Sequence, residues 1–418
     1  MTQPGGAGTD IQIYDDASSA SGSGYTFAEI SAAFPSDFVS NGTNKPSYRA
    51  KVSLQVGDST TGTATTTIVD TTGATVIWDS GKTLKNRATQ TTSWHYSFGT
   101  KVGSGNESSG VTGTHLVFGA ATSLPGTHAH YGCVFQQTTG AMTFSTPTDA
   151  VGEMVNCLLQ SLSTGTAPIN IGTGSARFAN VYNVDISHTT AGQVMSNFGA
   201  LNAERVTVSA AAPSAFIISG GAAVLLKDSN FFGTPSLSDL RWTGTGANGW
   251  LLYRPTWTGN AAKFSNVTSG FPALNGAAVE YRGAAVKVVD RTGAGVAGIP
   301  IHLEDTLGTV VIDTTTDSAG EVSFGSGIAA NMVAVMDHYV SSGTTYAQRH
   351  RSPFTMKVNT SDLTGYNSAY LSRTYDFNWP GYDSITTSAG QFEDLGDIIA
   401  IQDPAGNPTT WTELEIGA

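Results

Sequence analysis

Between about residues 130 and 270, short apolar–polar alternations recur at a near-constant spacing. They include Gly132-Cys133-Val134-Phe135, Asn156-Cys157-Leu158-Leu159, Asn183-Val184-Asp185-Ile186, Arg205-Val206-Thr207-Val208, Ser229-Asn230-Phe231-Phe232 and Ser265-Asn266-Val267-Thr268. With Val134, Leu158, Val184, Val206, Phe231 and Val267 taken as equivalent, the steps are 24, 26, 22, 25 and 36 residues. Each unit offers a strand of alternating polarity bounded by Gly, Asn and Ser, the residues that tolerate tight and left-handed turns. One such unit cannot bury its apolar side chains alone, but a stack of them buries a continuous column.

That coil length predicts a right-handed parallel β-helix, with the alternative an antiparallel sandwich whose spacing is accidental. The 36-residue step contains Arg241–Gly244 and Tyr253–Pro255, and is expected to be an inserted loop. Earlier in the chain, Val52, Leu54 and Val56 alternate with polar residues. Residues 65–70 and 74–78, separated by Thr72-Gly73, predict a hairpin, and Leu116-Val117-Phe118 a further strand. Residues 1–50 are rich in Gly, Ser and Ala. They are expected to form an extended arm with one short helix between Tyr25 and Phe34. The predicted divisions are therefore 1–50, an arm; 51–283, the helix column with its leading strands; and 284–418, a second β domain with a C-terminal extension.

The second domain rests on a motif. Val286–Asp290 is followed by Gly293–Leu303 and then Thr316-Asp317-Ser318-Ala319-Gly320-Glu321-Val322. This stretch resembles the transthyretin-like or carboxypeptidase-regulatory-like β-sandwich. In that family a strand ending in Asp leads to a Gly-rich turn, a Gly-x-Pro hairpin and a Thr-Asp-x-x-Gly turn. The resemblance spans about 40 residues, implies an Ig-like spacer or adhesion module, and brings no catalytic residue. Strand-like pieces at Tyr370–Pro380 and Leu395–Gln402 complete the sandwich or pack beside it.

Composition narrows the function. Only 12% of residues are charged, against about 25% in ordinary globular proteins. Yet 39% are hydrophobic, enough for a core and too many for a disordered chain. The net charge of −12 argues against nucleic acid, whose binding needs a basic face. Arg349-His350-Arg351 is the densest basic run and reads as a solvated turn. The N-terminus lacks the basic-then-apolar pattern of a signal peptide. No stretch approaches the roughly 18 apolar residues of a membrane span. Synthesis in a cytoplasm is expected, with no membrane partner. Two cysteines, Cys133 and Cys157, are too few for a disulfide framework.

Candidate chemistry was weighed at four places. Carbohydrate-cleaving β-helices need carboxylates converging from neighbouring coils, but Glu153, Asp185, Glu204, Asp228 and Arg205 share no register, and Asp15-Asp16 lies in the arm. His128-x-His130-x2-Cys133 has zinc-like spacing, with His115 the nearest fourth ligand. Pro125-Gly126-Thr127 and an inward Cys133 oppose that, so no metal or cofactor is expected. The glycines at 103, 105, 172 and 174 lack phosphate-loop context. Trp242, Trp250, Tyr253 and Trp257 cluster on or beside the expected insertion, where exposed rings would stack on a sugar or a partner protein.

The layout of arm, β-helix body and Ig-like module resembles bacteriophage virion structural proteins of the capsid decoration, cement or fibre type. That resemblance implies a non-enzymatic, homotrimeric protein on the virion surface, bound to the major capsid protein or other virion proteins and stabilising the particle. The alternative it carries is a head or tail fibre or spike that binds host glycans through the four aromatics, with or without polysaccharide-degrading activity.

Overall fold

The computed structural model of the chain describes residues 1–13, 24–42, 45–57, 66–86, 94–101, 113–145, 152–162, 169–171, 178, 180–188, 202–210, 214–218, 225–233, 238–242, 251–255, 264–265, 278–290, 292–326, 329–342, 345–370, 372–379 and 392–399. It is an all-β protein with large, predominantly parallel sheets and, among the described residues, one short α-helix.

From Trp94 to Val155, each strand pairs in parallel with the strand three elements further along. Thr127–Tyr131 lies between Trp94–Phe98 and Glu153–Val155. Val134–Gln137 lies between His115–Phe118 and Leu158–Ser161, and Met142–Ser145 between Thr122–Pro125 and Ile169–Ile171. Three faces therefore climb together. On the first face one inward position runs Asp70, Phe98, His130, Met154, Val181, Ala203, Leu226, Leu252 and Glu280. All nine are at most 3% exposed. On the second face Tyr48, Val76, Leu116, Phe135, Leu159, Ile186 and Val208 are aligned and buried. Strand alternation turns these side chains into one shared core.

Three expectations need correcting. The strands Thr66–Asp70 and Thr75–Trp78 are not a hairpin; each pairs in parallel with other turns of the chain. The Asp70 carboxylate accepts hydrogen bonds from the Thr72 and Ala74 amides at 3.0 and 2.8 Å. It thereby builds a corner that passes the chain to the next face instead of reversing it. Arg241-Trp242 and Leu251–Tyr253, placed in the expected insertion, belong to sheet strands. Ser238–Trp242 pairs with Ser214–Ile218 and Phe264–Ser265, and Leu251–Tyr253 pairs with Leu225–Lys227 and Ala278–Val289. Val267, used to measure the 36-residue step, lies outside the described residues.

Nor do the described residues among 1–50 form an extended arm. Ile11–Ile13 pairs in parallel with Leu54–Val56, and Tyr25 bridges Ile68. The expected helix forms at Phe27–Ala33, started by a capping box between Thr26 and Glu29. Phe27, Ile30 and Phe38 are buried beneath it, each contributing about 1.5–3 kcal/mol of transfer free energy. Phe27 stacks on Phe38 and Phe98, with centroids 6.1 and 5.9 Å apart. Phe38–Ser40 pairs antiparallel with Ser47–Ala50, closing a sheet edge that would otherwise be open.

At the other end, the 12-residue strand Ala278–Val289 belongs to both halves of the molecule. Its start continues the first face, while Ala284, Val286 and Val288 enter a second core with Ile301, Leu303, Phe354 and Met356. That core packs against a four-stranded antiparallel sheet of Val310–Thr315, Pro300–Glu304, Phe354–Val358 and Arg373–Phe377, in that order. The predicted boundary near 284 thus falls inside a strand.

Candidate functional site

The left-handed bend between the first and second faces is the most regular chemical feature of the body. It is occupied in successive turns by Gly132, Asn156, Asn183, Arg205, Asp228 and Arg254, with φ between 47° and 65°. Asn relieves this conformation better than most side chains. Asn183 donates from Nδ2 to Oδ1 of Asn156 at 2.8 Å. Arg254 forks onto Asp228 at 2.6 and 2.7 Å. Arg205 donates to the Tyr182 hydroxyl at 2.7 Å and lies over its ring.

The carboxylates considered for catalysis are drawn into pairs along the column. Glu153 meets Lys101 at 3.2 Å and the Tyr131 hydroxyl. Glu204 meets Lys227 at 3.1 Å, and Asp228 is held by Arg254. Asp185 sits on the second face, aligned with Leu158 and Thr207. Asp15 and Asp16 lie outside the described residues.

His128 and His130 point into the core, as the His-x-His alternation requires. The His128 ring stacks between Tyr96 and Phe178, each 5.4 Å away. Its Nδ1 meets His130 Nε2 at 3.1 Å, and its Nε2 meets the Leu124 carbonyl at 2.9 Å. His130 lies on Phe98 and edge-on to Phe135 and Phe144. Burial holds its pKa well below the ordinary value, and His128 adds to the effect. Cys133 donates to the Phe98 and Tyr131 carbonyls, and His115 pairs with Gln136 on the second face. Among the described residues no three His, Cys, Asp or Glu side chains gather as a metal site would require.

The aromatic group divides. Tyr253 is only 3% exposed and stacks on Tyr281 with centroids 4.7 Å apart. It is therefore a packed ring and not an open contact. Trp242 closes the strand Ser238–Trp242, while Trp250 and Trp257 lie outside the described residues.

Arg349-His350-Arg351 is not a solvated turn. Arg349 and Arg351 both grip the Asp337 carboxylate, at 2.6 and 2.8 Å, and Arg351 reaches on to Asp305 at 3.0 Å. Asp337 and Asp305 are 1% and 4% exposed. Alongside, Glu280 takes hydrogen bonds from Arg282 at 2.8 Å and His338 at 3.0 Å, all three nearly inaccessible. His338 is bonded in turn to the Tyr346 hydroxyl. The reading of the sequence missed this cluster. Its signal was Asp337-His338 interrupting the apolar run Met332–Val340, and Glu280 and Arg282 standing two residues apart in a strand. Three carboxylates face three guanidiniums here, so the network neutralises itself and ties strands together.

Comparison of the chain with protein-family models, with curated proteins and with solved structures finds no match. Among the described residues no helix is long and apolar enough to cross a membrane.

Proposed function

We propose that this chain is a non-enzymatic structural protein of a virus particle, a capsid decoration or cement protein. In this reading the body is a right-handed parallel β-helix. The region after Ala278 carries an Ig-like, transthyretin-like sandwich. The observation that carries the proposal is the aligned inward line from Asp70 to Glu280, at most 3% exposed throughout. A column buried to that degree is a stiff rod whose stability grows with every added turn. Its charged outer side chains are spent on pairing with the next turn, as in Lys227–Glu204 and Arg254–Asp228. Rigidity with self-neutralised ladders suits a part that must persist outside a cell. Its partners are then the major capsid protein or other virion proteins, with three copies grouped at symmetry axes so that weak contacts add.

The test is to purify the particles, identify their chains by mass spectrometry and map their surface. The proposal expects this chain on the outer shell in a fixed ratio to the capsid protein. Particles that lack it overturn the proposal. A glycan-gripping fibre built on Trp242, Trp250, Tyr253 and Trp257 gains no support at Tyr253, whose ring is covered.

A further inference from the structure

The two cysteines of the chain occupy the same position in consecutive turns. Tyr131 aligns with Val155 on one side of them and Val134 with Leu158 on the other, so Cys133 faces Cys157. Both thiols are free and buried, at 0% and 3% exposure. Their surroundings repeat as well. Cys133 Sγ lies 3.4 Å from the Tyr131 carbonyl and 3.3 Å from that of Phe98; Cys157 Sγ lies 3.3 Å from Val155 and 3.5 Å from His130. Val155 is the partner of Tyr131, and His130 the partner of Phe98. Both side chains therefore adopt one orientation, and the Cys157 thiol reaches back into the turn that holds Cys133. Neighbouring parallel strands run about 4.8 Å apart, inside the roughly 4.4–6.8 Å over which Cα atoms can be joined by a disulfide.

We propose that Cys133 and Cys157 are a redox modification site, closed to an intramolecular disulfide by a low-molecular-weight disulfide oxidant, which would staple two turns of the column together. The first attack falls to Cys157, the more accessible sulfur. Burial raises the Cys133 thiol well above its ordinary pKa and keeps it protonated. The Cys157 thiolate attacks one sulfur of the reagent disulfide and expels one reagent thiolate. Cys133 then loses its proton to that thiolate and attacks the Cys157 sulfur, expelling the second reagent thiolate, which takes up from solvent the proton that Cys157 released. The two protein thiols are oxidised, one reagent disulfide is reduced to two thiols, and no other reactant enters. A chain passing from a reducing cytoplasm to an oxidising medium meets this class of oxidant only after it has folded. The staple would therefore form on an aligned pair.

The experiment treats the folded, purified chain with 2-hydroxyethyl disulfide, and a urea-unfolded sample in parallel. The readouts are intact mass, peptide mapping without reductant, and the thermal unfolding midpoint. The expected result is loss of two hydrogens, a 133–157 cross-linked peptide and an upward midpoint shift that a reductant reverses. Single variants Cys133→Ser and Cys157→Ser should show neither the cross-link nor the shift. A persistent mercaptoethanol adduct on either sulfur without the bridge overturns the proposal, as does a bridge only between chains. Bridging in the unfolded sample with none in the folded one overturns it equally.

Discussion

Acid should find His130. Its imidazole lies between Phe98 and Met154 in the inward line of the first face, wholly enclosed by aromatic rings. Burial holds its pKa well below the ordinary 6.5. The folded chain therefore keeps this ring neutral where the unfolded chain protonates it. Below about pH 6.5 the unfolded state binds more protons, so stability must fall as the pH falls, and the contribution is complete only above that value. One proton sets a slope of about 1.4 kcal/mol per pH unit. Acidification from about pH 6.5 to 4.5 then costs up to about 2.3 kcal/mol, because the unfolded ring is only half protonated at the upper limit. The control is His130→Phe, which keeps an aromatic ring among Phe98, Phe135 and Phe144 but cannot titrate. Urea unfolding of both chains at a series of pH values separates this effect from carboxylate protonation, which the two share. The native chain should lose more than the variant between those limits, by up to about 2.3 kcal/mol. Parallel loss in the two chains would refute the reasoning, because the buried imidazole would then not be resisting protonation.

Other perturbations probe the column and its junction. Phe135→Ala removes a fully buried ring from the second face and should cost about 3–5 kcal/mol by chemical denaturation. Asn183 has φ of 50° at the left-handed bend and bonds to Asn156. Asn183→Ala should lose about 1 kcal/mol in urea titration, while Asn183→Gly should stay nearer the parent. Asp337→Ala strips the shared carboxylate from Arg349 and Arg351. It should cost about 3 kcal/mol and speed proteolysis in the strand Thr345–His350 while leaving the 127–161 turns protected.

The turn spacing was legible because each turn repeats an apolar–polar alternation beside a bend residue. Val134 pairs with Leu158 and Val184 with Val206, as the spacing implied. Leu158 pairs instead with Asp185, and Val208, not Val206, is the partner of Phe231. The slips have two causes. Leu158 is apolar but half-buried, one place before the buried Leu159, and Val206 and Val208 are both buried in the same strand, so apolarity alone tells neither which residue faces inward nor which of two inward residues matches its neighbour. The left-handed residue could have told, since Asn156, Asn183, Arg205, Asp228 and Arg254 mark the register where the side chains do not. But only the asparagines and Asp228 advertise that conformation in a sequence; arginine has no such preference. The Asp-x-x-Gly corners were half legible. Asp70 and Asp317 both accept from the amides two and four residues on, with glycine φ of 71° at Gly73 and 78° at Gly320. One was read as a hairpin and the other as a family motif because the local signal fixes the turn, not the destination of the chain. The candidate site fared worse. The aromatic grouping assumed an insertion, and once Leu251–Tyr253 joins the first face, Tyr253 is covered by Tyr281.

The two ends of the column solve one problem in opposite ways. A stack of parallel turns exposes its core wherever it stops. At the start, Phe27, Ile30 and Phe38 cover it with apolar surface, and such a lid tolerates small shifts because dispersion contacts are not directional. At the finish the chain does not stop but runs on in Ala278–Val289 toward a second core, so the relation between the two cores must be fixed along one strand. The inward line ends there on Glu280, between Ala278 of the first core and Ala284 of the second. An apolar residue at 280 would pack in more than one alignment. A carboxylate does not, since a slip of one residue turns it, together with Arg282 of the same strand, to the opposite face of the sheet, away from His338. The strand Met332–Ser342 carries the same constraint on the other side, where Asp337 answers Arg349 and Arg351 one residue from His338. Charge buried at this level contributes little net stability once desolvation is subtracted. What it supplies is alignment, and alignment is what the chain needs where the parallel pairing ends and an antiparallel sheet begins.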